Sequence, residues 1–181
     1  MSTENVAIET LRAALPEAAR DTKLNLGTVL TGDGAPDLSD TQIWSIALAV
    51  AYASKNDRVA TAVEADARHY LDDVHVNAAR TAATVMAMNN VYYRFLHLAG
   101  DAELSKLPAR LRMNGLASHG IAKLDFELMA LAVSAVNGCG MCIESHVHEV
   151  SKQGASKLAI QSSVRIAAVL IATAQALSLP H

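Results

Sequence analysis

A chain of 181 residues can bury a core without disulfide or metal staples, and its length favours one domain or two small halves sharing a core. Charged residues make up 18% of it, against roughly 25% in an average soluble domain, and apolar residues reach 51%, a surplus that suggests a subunit interface. The net charge of -3, with Lys and Arg scattered, leaves no basic stripe to follow a phosphate backbone and excludes nucleic acid as a partner.

The stretch from Met1 to Glu9 carries Glu4 and Glu9 and lacks both a basic start and an apolar run, so no secretory signal is read there and a cytoplasmic protein is expected. Residues 1–36 hold a helical pattern from Ile8 to Arg20, interrupted by Pro16, and then a turn at Gly32-Asp33-Gly34; they read as an appended arm. Ser39 and Gln42 have capping-box spacing ahead of an apolar run from Ile43 to Ala53, and Asn56 or Asp57 can cap a helix reaching about Tyr70. Asp72 caps a long helix that ends near Leu98, before Gly100.

Residues 101–120 contain Pro108, Gly115 and Gly120 and read as a connector with a short helix at most. Lys123 to Val136 forms the next helix, Asn137-Gly138 suits a left-handed cap, and a helix from Cys139 to about Lys152 follows. Ser156 caps the last helix, which reaches about Leu177; its apolar run from Ile166 is interrupted by Thr173 and Gln175, short of the ~18 residues of a membrane span, so it reads as a core helix. Strand-like alternation is missing, and the expected fold is all-α, a single domain with halves at 37–100 and 121–181. Ala47-Leu48-Ala49-Val50 recurs as Ala130-Leu131-Ala132-Val133; aligned without gaps, the two halves put Trp44 on Glu127, Asn56 on Cys139, Val59 on Cys142 and Val63 on His146. The first half is then a scaffold without chemistry.

The chain's two cysteines, Cys139 and Cys142, stand three apart at the start of a helix, where Cα atoms lie about 5 to 5.5 Å apart and can be bridged without backbone movement. So small a ring stabilises a fold by only about 2 kcal/mol, and cytosolic thiols are kept reduced, so reversible oxidation explains the pair better than a permanent bridge. The helix N-terminus favours the thiolate, and His146 follows on the same face, where it can take or return a proton. Glu127 sits among Phe126, Leu128, Met129 and Leu131, so a partly buried carboxyl suited to a proton relay is expected. It lies roughly 16 Å before the turn at Gly138 and His146 roughly 12 Å after it, so an antiparallel hairpin brings them side by side.

Other readings of the same residues are small buried thiols, or zinc bound by C-x2-C-x3-H with His148 or Glu127 as fourth ligand. No second Cys or His cluster stands at finger-like distance, and no metal site is assigned. Nothing is assigned to His119 or His148; Met141 reads as a packing residue, and Tyr92, Tyr93 and Phe95 as core or interface.

The segment Phe126-Glu-Leu-Met-Ala-Leu-Ala-Val-Ser-Ala-Val-Asn-Gly-Cys-Gly-Met-Cys-Ile-Glu-Ser-His146 resembles the glutamate, twelve-residue step, C-x-x-C and histidine of the alkyl hydroperoxide reductase D (AhpD) family. Further similarity runs through Leu11-Arg-Ala-Ala-Leu-Pro16, Lys23-Leu-Asn-Leu26, Met88-Asn-Asn-Val-Tyr-Tyr-Arg94 and Leu111-Arg-Met-Asn114. The resemblance implies a helical fold of the carboxymuconolactone-decarboxylase-like class, a homotrimer, and antioxidant reduction of hydroperoxides or of the peroxiredoxin AhpC. Electrons would come from dihydrolipoyl groups on the acyltransferase of a 2-oxoacid dehydrogenase, with no tightly bound cofactor. By position, Cys142 is the thiolate that attacks peroxide, Cys139 the proton donor and resolving thiol, and Glu127 with His146 the proton relay. Family members can carry a histidine between the cysteines, where this chain has Met141. A decarboxylase-like enzyme of the same fold is the alternative, although lactone decarboxylation has no need of two redox thiols.

Overall fold

The structure, a computed structural model, describes residues 5–180; Glu4, part of the acidic N-terminal stretch, lies outside them. The capping box predicted at Ser39 is formed: its Oγ accepts from the Gln42 N–H at 3.2 Å, and Gln42 Oε1 accepts from the Ser39 N–H at 3.0 Å. It opens α3 (Asp40–Ala53). Asn56, rather than Asp57, caps α4 (Asp57–Ala67), and Asp72 caps α5 (Asp73–Ala99), which Gly100 closes in the left-handed conformation. After the short α6 (Ala102–Lys106) come α7 (Lys123–Val136), α8 (Gly140–Lys152) and α9 (Lys157–Leu177), the last capped by Ser156. No strand occurs among the described residues. Helix α4 stops three residues short of the expected end, and the turn that follows brings Tyr70 flat against Trp44, ring centroids 5.0 Å apart.

The N-terminal residues differ most from expectation. The pattern read from Ile8 to Arg20 is divided between α1 (Val6–Ala13), a 3-10 turn after Pro16, and α2 (Arg20–Val29). They are no appended arm, because Ile8, Leu11, Leu15, Leu26 and Val29 are buried in the common core, with α1 against α4 and α2 against α9. The carboxylate of Asp66, itself 3% exposed, accepts the N–H groups of Ala7 and Ile8 at 3.1 and 2.7 Å. It serves as the cap that Asn5 does not provide. Asp66→Ala leaves those donors unsatisfied and removes an anion from the positive end of α1. The expected loss is about 2 to 3 kcal/mol in denaturant unfolding, whereas an unchanged midpoint would mean that the apolar face alone holds α1.

Helix α9, 21 residues, is by length and composition apolar enough to cross a membrane, more so than its interrupted apolar run suggested. It packs against α2, α3 and α7 and buries Ile166, Ala167, Leu170 and Ala174 there.

Helices α3–α4–α5 and α7–α8–α9 repeat one arrangement. In each half the first helix packs on the other two, and α3 and α7 pack on one another at the centre. The gapless alignment extends to backbone detail: Lys55 and Gly138, both at positive φ, occupy matching positions, and each precedes an N-cap, Asn56 or Cys139. Asn56 Oδ1 accepts the Val59 N–H at 3.2 Å, as Cys139 Sγ accepts the Cys142 N–H at 3.3 Å. A cysteine sulfur therefore stands in the place of a capping amide. Where the cysteine-bearing half has Glu127, the other has the buried Trp44.

Candidate active site

The turn between α7 and α8 is a Schellman motif: the Gly138 N–H bonds Ala135 O at 3.2 Å and the Cys139 N–H bonds Ser134 O at 3.2 Å. Gly138, at φ 65, makes the reversal at no steric cost, and α8 starts two residues later, after its N-cap Cys139. Helix α5 clamps this turn from the side. Arg94 Nη1 donates to Asn137 O at 2.6 Å, Asn137 Nδ2 donates to Asn90 Oδ1 at 2.9 Å, and Asn90 Nδ2 donates to Ser134 Oγ at 2.9 Å. Asn90 and Ser134 are buried, so the chain of bonds fixes the turn in a setting where an unmade bond is costly.

Cys139 and Cys142 are joined in a disulfide, with Cα atoms 5.3 Å apart, within the distance expected from their spacing. The two sulfurs differ in access. Cys139 is fully buried, while Cys142 keeps 7% exposure and lines a cavity of about 250 Å³. His146, one turn further along α8, lines the same cavity. Its Nδ1 lies 2.7 Å from Glu127 Oε2 on the antiparallel α7, the hairpin contact expected from the sequence. Side-chain exposures of 14% and 17% leave the pair half shielded, so its hydrogen bond is stronger than a surface ion pair would be. An ionised carboxylate only accepts, so Nδ1 carries a proton and Nε2 is the nitrogen left to exchange one.

Around Glu127 the electrostatic surroundings are mixed. His119 stacks on Phe126, centroids 4.2 Å apart; burial pushes its imidazole below the ordinary histidine value, and the Glu127 carboxylate opposes that shift. Lys123 pairs with Glu149 at 2.6 Å, which raises the ammonium above its usual value and lowers the carboxyl. Among the described residues no group of three His, Cys, Asp or Glu side chains stands where it could hold a metal ion, and His148 is exposed.

The cavity wall is largely made of residues to which the sequence pointed weakly or not at all. Met86, Asn89 and Tyr93 come from one face of α5, and Met113 and Leu116 come from the connector. Tyr93, expected as core or interface, turns out to line the cavity, and Met141 packs into it while remaining 36% exposed. The motif Met88-Asn-Asn-Val-Tyr-Tyr-Arg94 thus has two faces: Asn90 and Arg94 hold the cysteine turn, and Asn89 and Tyr93 face the space in front of Cys142.

The family model of the Carboxymuconolactone decarboxylase family matches residues 102–179, the connector and the cysteine-bearing half. Over nearly the whole length the chain is similar to proteins named alkyl hydroperoxide reductase AhpD. The one from Rhodospirillum centenum is 52% identical, covering 95% of this chain and 91% of that protein. The one from Coxiella burnetii is 49% identical over 93% of this chain and 95% of that protein, and the one from Anaeromyxobacter dehalogenans is 51% identical over 96% and 91%. At about half identity over more than nine-tenths of its length, and with the cysteine turn and the His146–Glu127 pair inside residues 102–179, the chain belongs to the alkyl hydroperoxide reductase AhpD family.

Proposed function

We propose that this chain is a cytoplasmic antioxidant oxidoreductase that reduces alkyl hydroperoxides, regenerates the peroxiredoxin AhpC, or does both, with electrons from dihydrolipoyl groups. The observation that carries the reading is the placement of Cys142: the more accessible sulfur of a disulfide, it borders an apolar cavity beside a histidine whose other nitrogen is held by a carboxylate.

In the reduced state the Cys142 thiol passes its proton to His146 Nε2, and the resulting thiolate attacks the terminal oxygen of the hydroperoxide. The S–O bond forms as the O–O bond breaks, and the departing alkoxide takes a proton from His146 Nε2. The product at Cys142 is a sulfenic acid. Cys139, the resolving thiol, gives up its proton and displaces hydroxide, which leaves as water once protonated; the disulfide results. A dihydrolipoyl thiolate then attacks Cys142, because Cys139 is inaccessible, and the second lipoyl sulfur resolves the mixed disulfide and restores both protein thiols. Glu127 keeps His146 oriented and stabilises its imidazolium through each transfer. The peroxiredoxin disulfide substitutes for peroxide as oxidant in the same scheme.

The proposed donor is the lipoyl-bearing acyltransferase of a 2-oxoacid dehydrogenase, and the proposed assembly a homotrimer, consistent with the exposed apolar side chains of Val91, Phe95 and Leu98 on α5. The test is consumption of dihydrolipoamide by the purified protein with cumene hydroperoxide, with and without peroxiredoxin, light scattering giving the mass of the same sample. Turnover by a trimer is expected, and mild peroxide alone should remove two hydrogens per chain. Two thiols that survive excess peroxide would sink the mechanism.

A further inference from the structure

Asn89 is 5% exposed, and its Oδ1 is buried without a hydrogen-bond partner among the described residues. Leaving a buried amide oxygen unbonded costs about 1 to 3 kcal/mol, so native proteins seldom keep one without a use. Its neighbour Asn90 shows the contrast, since both ends of that amide are bonded. Asn89 lies in the wall of the cavity that Cys142 borders, where Met86, Met113, Leu116 and Met141 supply the apolar surface and Tyr93, Ser145 and His146 the other polar groups. Among the described residues no bond holds either end of the amide, so rotation about its last torsion exchanges the two ends and brings the oxygen, now buried, to the cavity side, where it can be paired. A largely apolar cleft with a few polar groups beside the reacting atom is the arrangement that orients an otherwise apolar ligand, and Asn89 is the most deeply buried of those groups.

The geometry points to Asn89 as the anchor of the substrate's polar end: its Oδ1 accepts a hydrogen bond from the terminal O–H of an organic hydroperoxide whose alkyl part lies among the methionines and Leu116. This rests on the proposed peroxide reaction. That O–H stays on the oxygen transferred to sulfur, so the same bond persists to the sulfenic acid and holds the terminal oxygen, rather than the inner one, toward Cys142. The site should favour hydroperoxides that combine an O–H donor with apolar bulk.

The test uses the intact oxidised chain, with methionine methyl groups carbon-13 labelled, because Met86, Met113 and Met141 report from the cavity itself. Cumyl alcohol, which keeps the O–H donor and the bulk but cannot react, is titrated against isopropylbenzene, which lacks the O–H. The wild type is expected to bind the alcohol roughly 10-fold tighter, the size of one hydrogen bond to a group otherwise unpaired, and Asn89→Leu to bind both alike. Asn89→Leu should also melt no lower than the wild type, because it removes an unsatisfied amide; Asn89→Ala serves if leucine does not fit. In turnover the variant should lose about 10-fold in kcat/KM for cumene hydroperoxide. A wild type without preference for the alcohol, or a preference that survives in both variants, overturns the anchor. A preference that Asn89→Leu abolishes, in a protein that nevertheless fails to consume peroxide, upholds the anchor and removes the peroxide reading instead.

Discussion

Cys142→Ser is expected to end peroxide and peroxiredoxin turnover, lowering dihydrolipoamide consumption by at least about 10³-fold, because a serine hydroxyl at neutral pH is neither ionised nor able to carry the oxidation. The loss cannot be attributed to a damaged fold. A three-residue disulfide ring contributes only about 2 kcal/mol, and Cys142 lies at the cavity edge rather than at the centre of the α3–α7 packing. Cys139→Ser separates the two sulfurs. It leaves the more accessible thiol able to react once, so the sulfenic acid at Cys142 should persist long enough to be trapped by dimedone and seen by mass spectrometry. In Cys142→Ser no such adduct should form on the buried Cys139. The opposite pattern would exchange the proposed roles, and full turnover in Cys142→Ser would remove the thiol mechanism.

The different legibility of parts of this site has a physical cause. Cys139, Cys142 and His146 are near neighbours on one helix, and Glu127 is joined to them by a tight turn, so helical rise and one reversal suffice to predict that they meet. The Gly138 turn was equally visible, because a left-handed cap has few alternatives to Asn-Gly. The cavity wall had no such signal. Asn89 and Asn90 are adjacent in sequence and both buried, yet Asn90 is bonded at both ends of its amide and Asn89 keeps an unpaired oxygen, a distinction made by partners about 45 residues away. Met113 and Leu116 lie in a stretch whose Gly and Pro marked it only as a connector. At the N-terminus, α2 spans RDTKLNLGTV, too polar to announce itself, and Asp66 acts across 58 residues as the cap of α1.

On the proposed mechanism, the arrangement around the cysteines also accounts for chemistry in one half of a repeated fold and not in its twin. Replacing an N-cap amide by a thiol, as at Cys139 in place of Asn56, keeps the bond to the N–H three residues on and makes the cap oxidisable. A second thiol one turn later, with a carboxylate in place of Trp44, completes the set. On the proposed mechanism, the Asn90 and Arg94 bonds would keep the turn from shifting as the disulfide opens and closes.

Glu127→Gln separates a working carboxylate from one that merely fills space. Glutamine keeps the length and shape of the side chain and can still meet His146 Nδ1 at the 2.7 Å separation, so the hairpin should persist and the melting curve should move little. What changes is charge: a neutral amide cannot stabilise the imidazolium, and it can present an N–H that forces Nδ1 to accept, which puts the ring's remaining proton on Nε2 in the resting state. Both effects act on proton transfer, so dihydrolipoamide turnover is expected to fall by about 10²-fold, the usual effect of removing a general acid or base. His146→Gln should lose a similar factor, and the double variant little more than either alone, because the two residues act as one unit. Additive losses would show that Glu127 contributes by another route, with its field at His119 and Lys123 the next place to look. Unchanged turnover in a well-folded Glu127→Gln would reduce the working site to the two cysteines and His146.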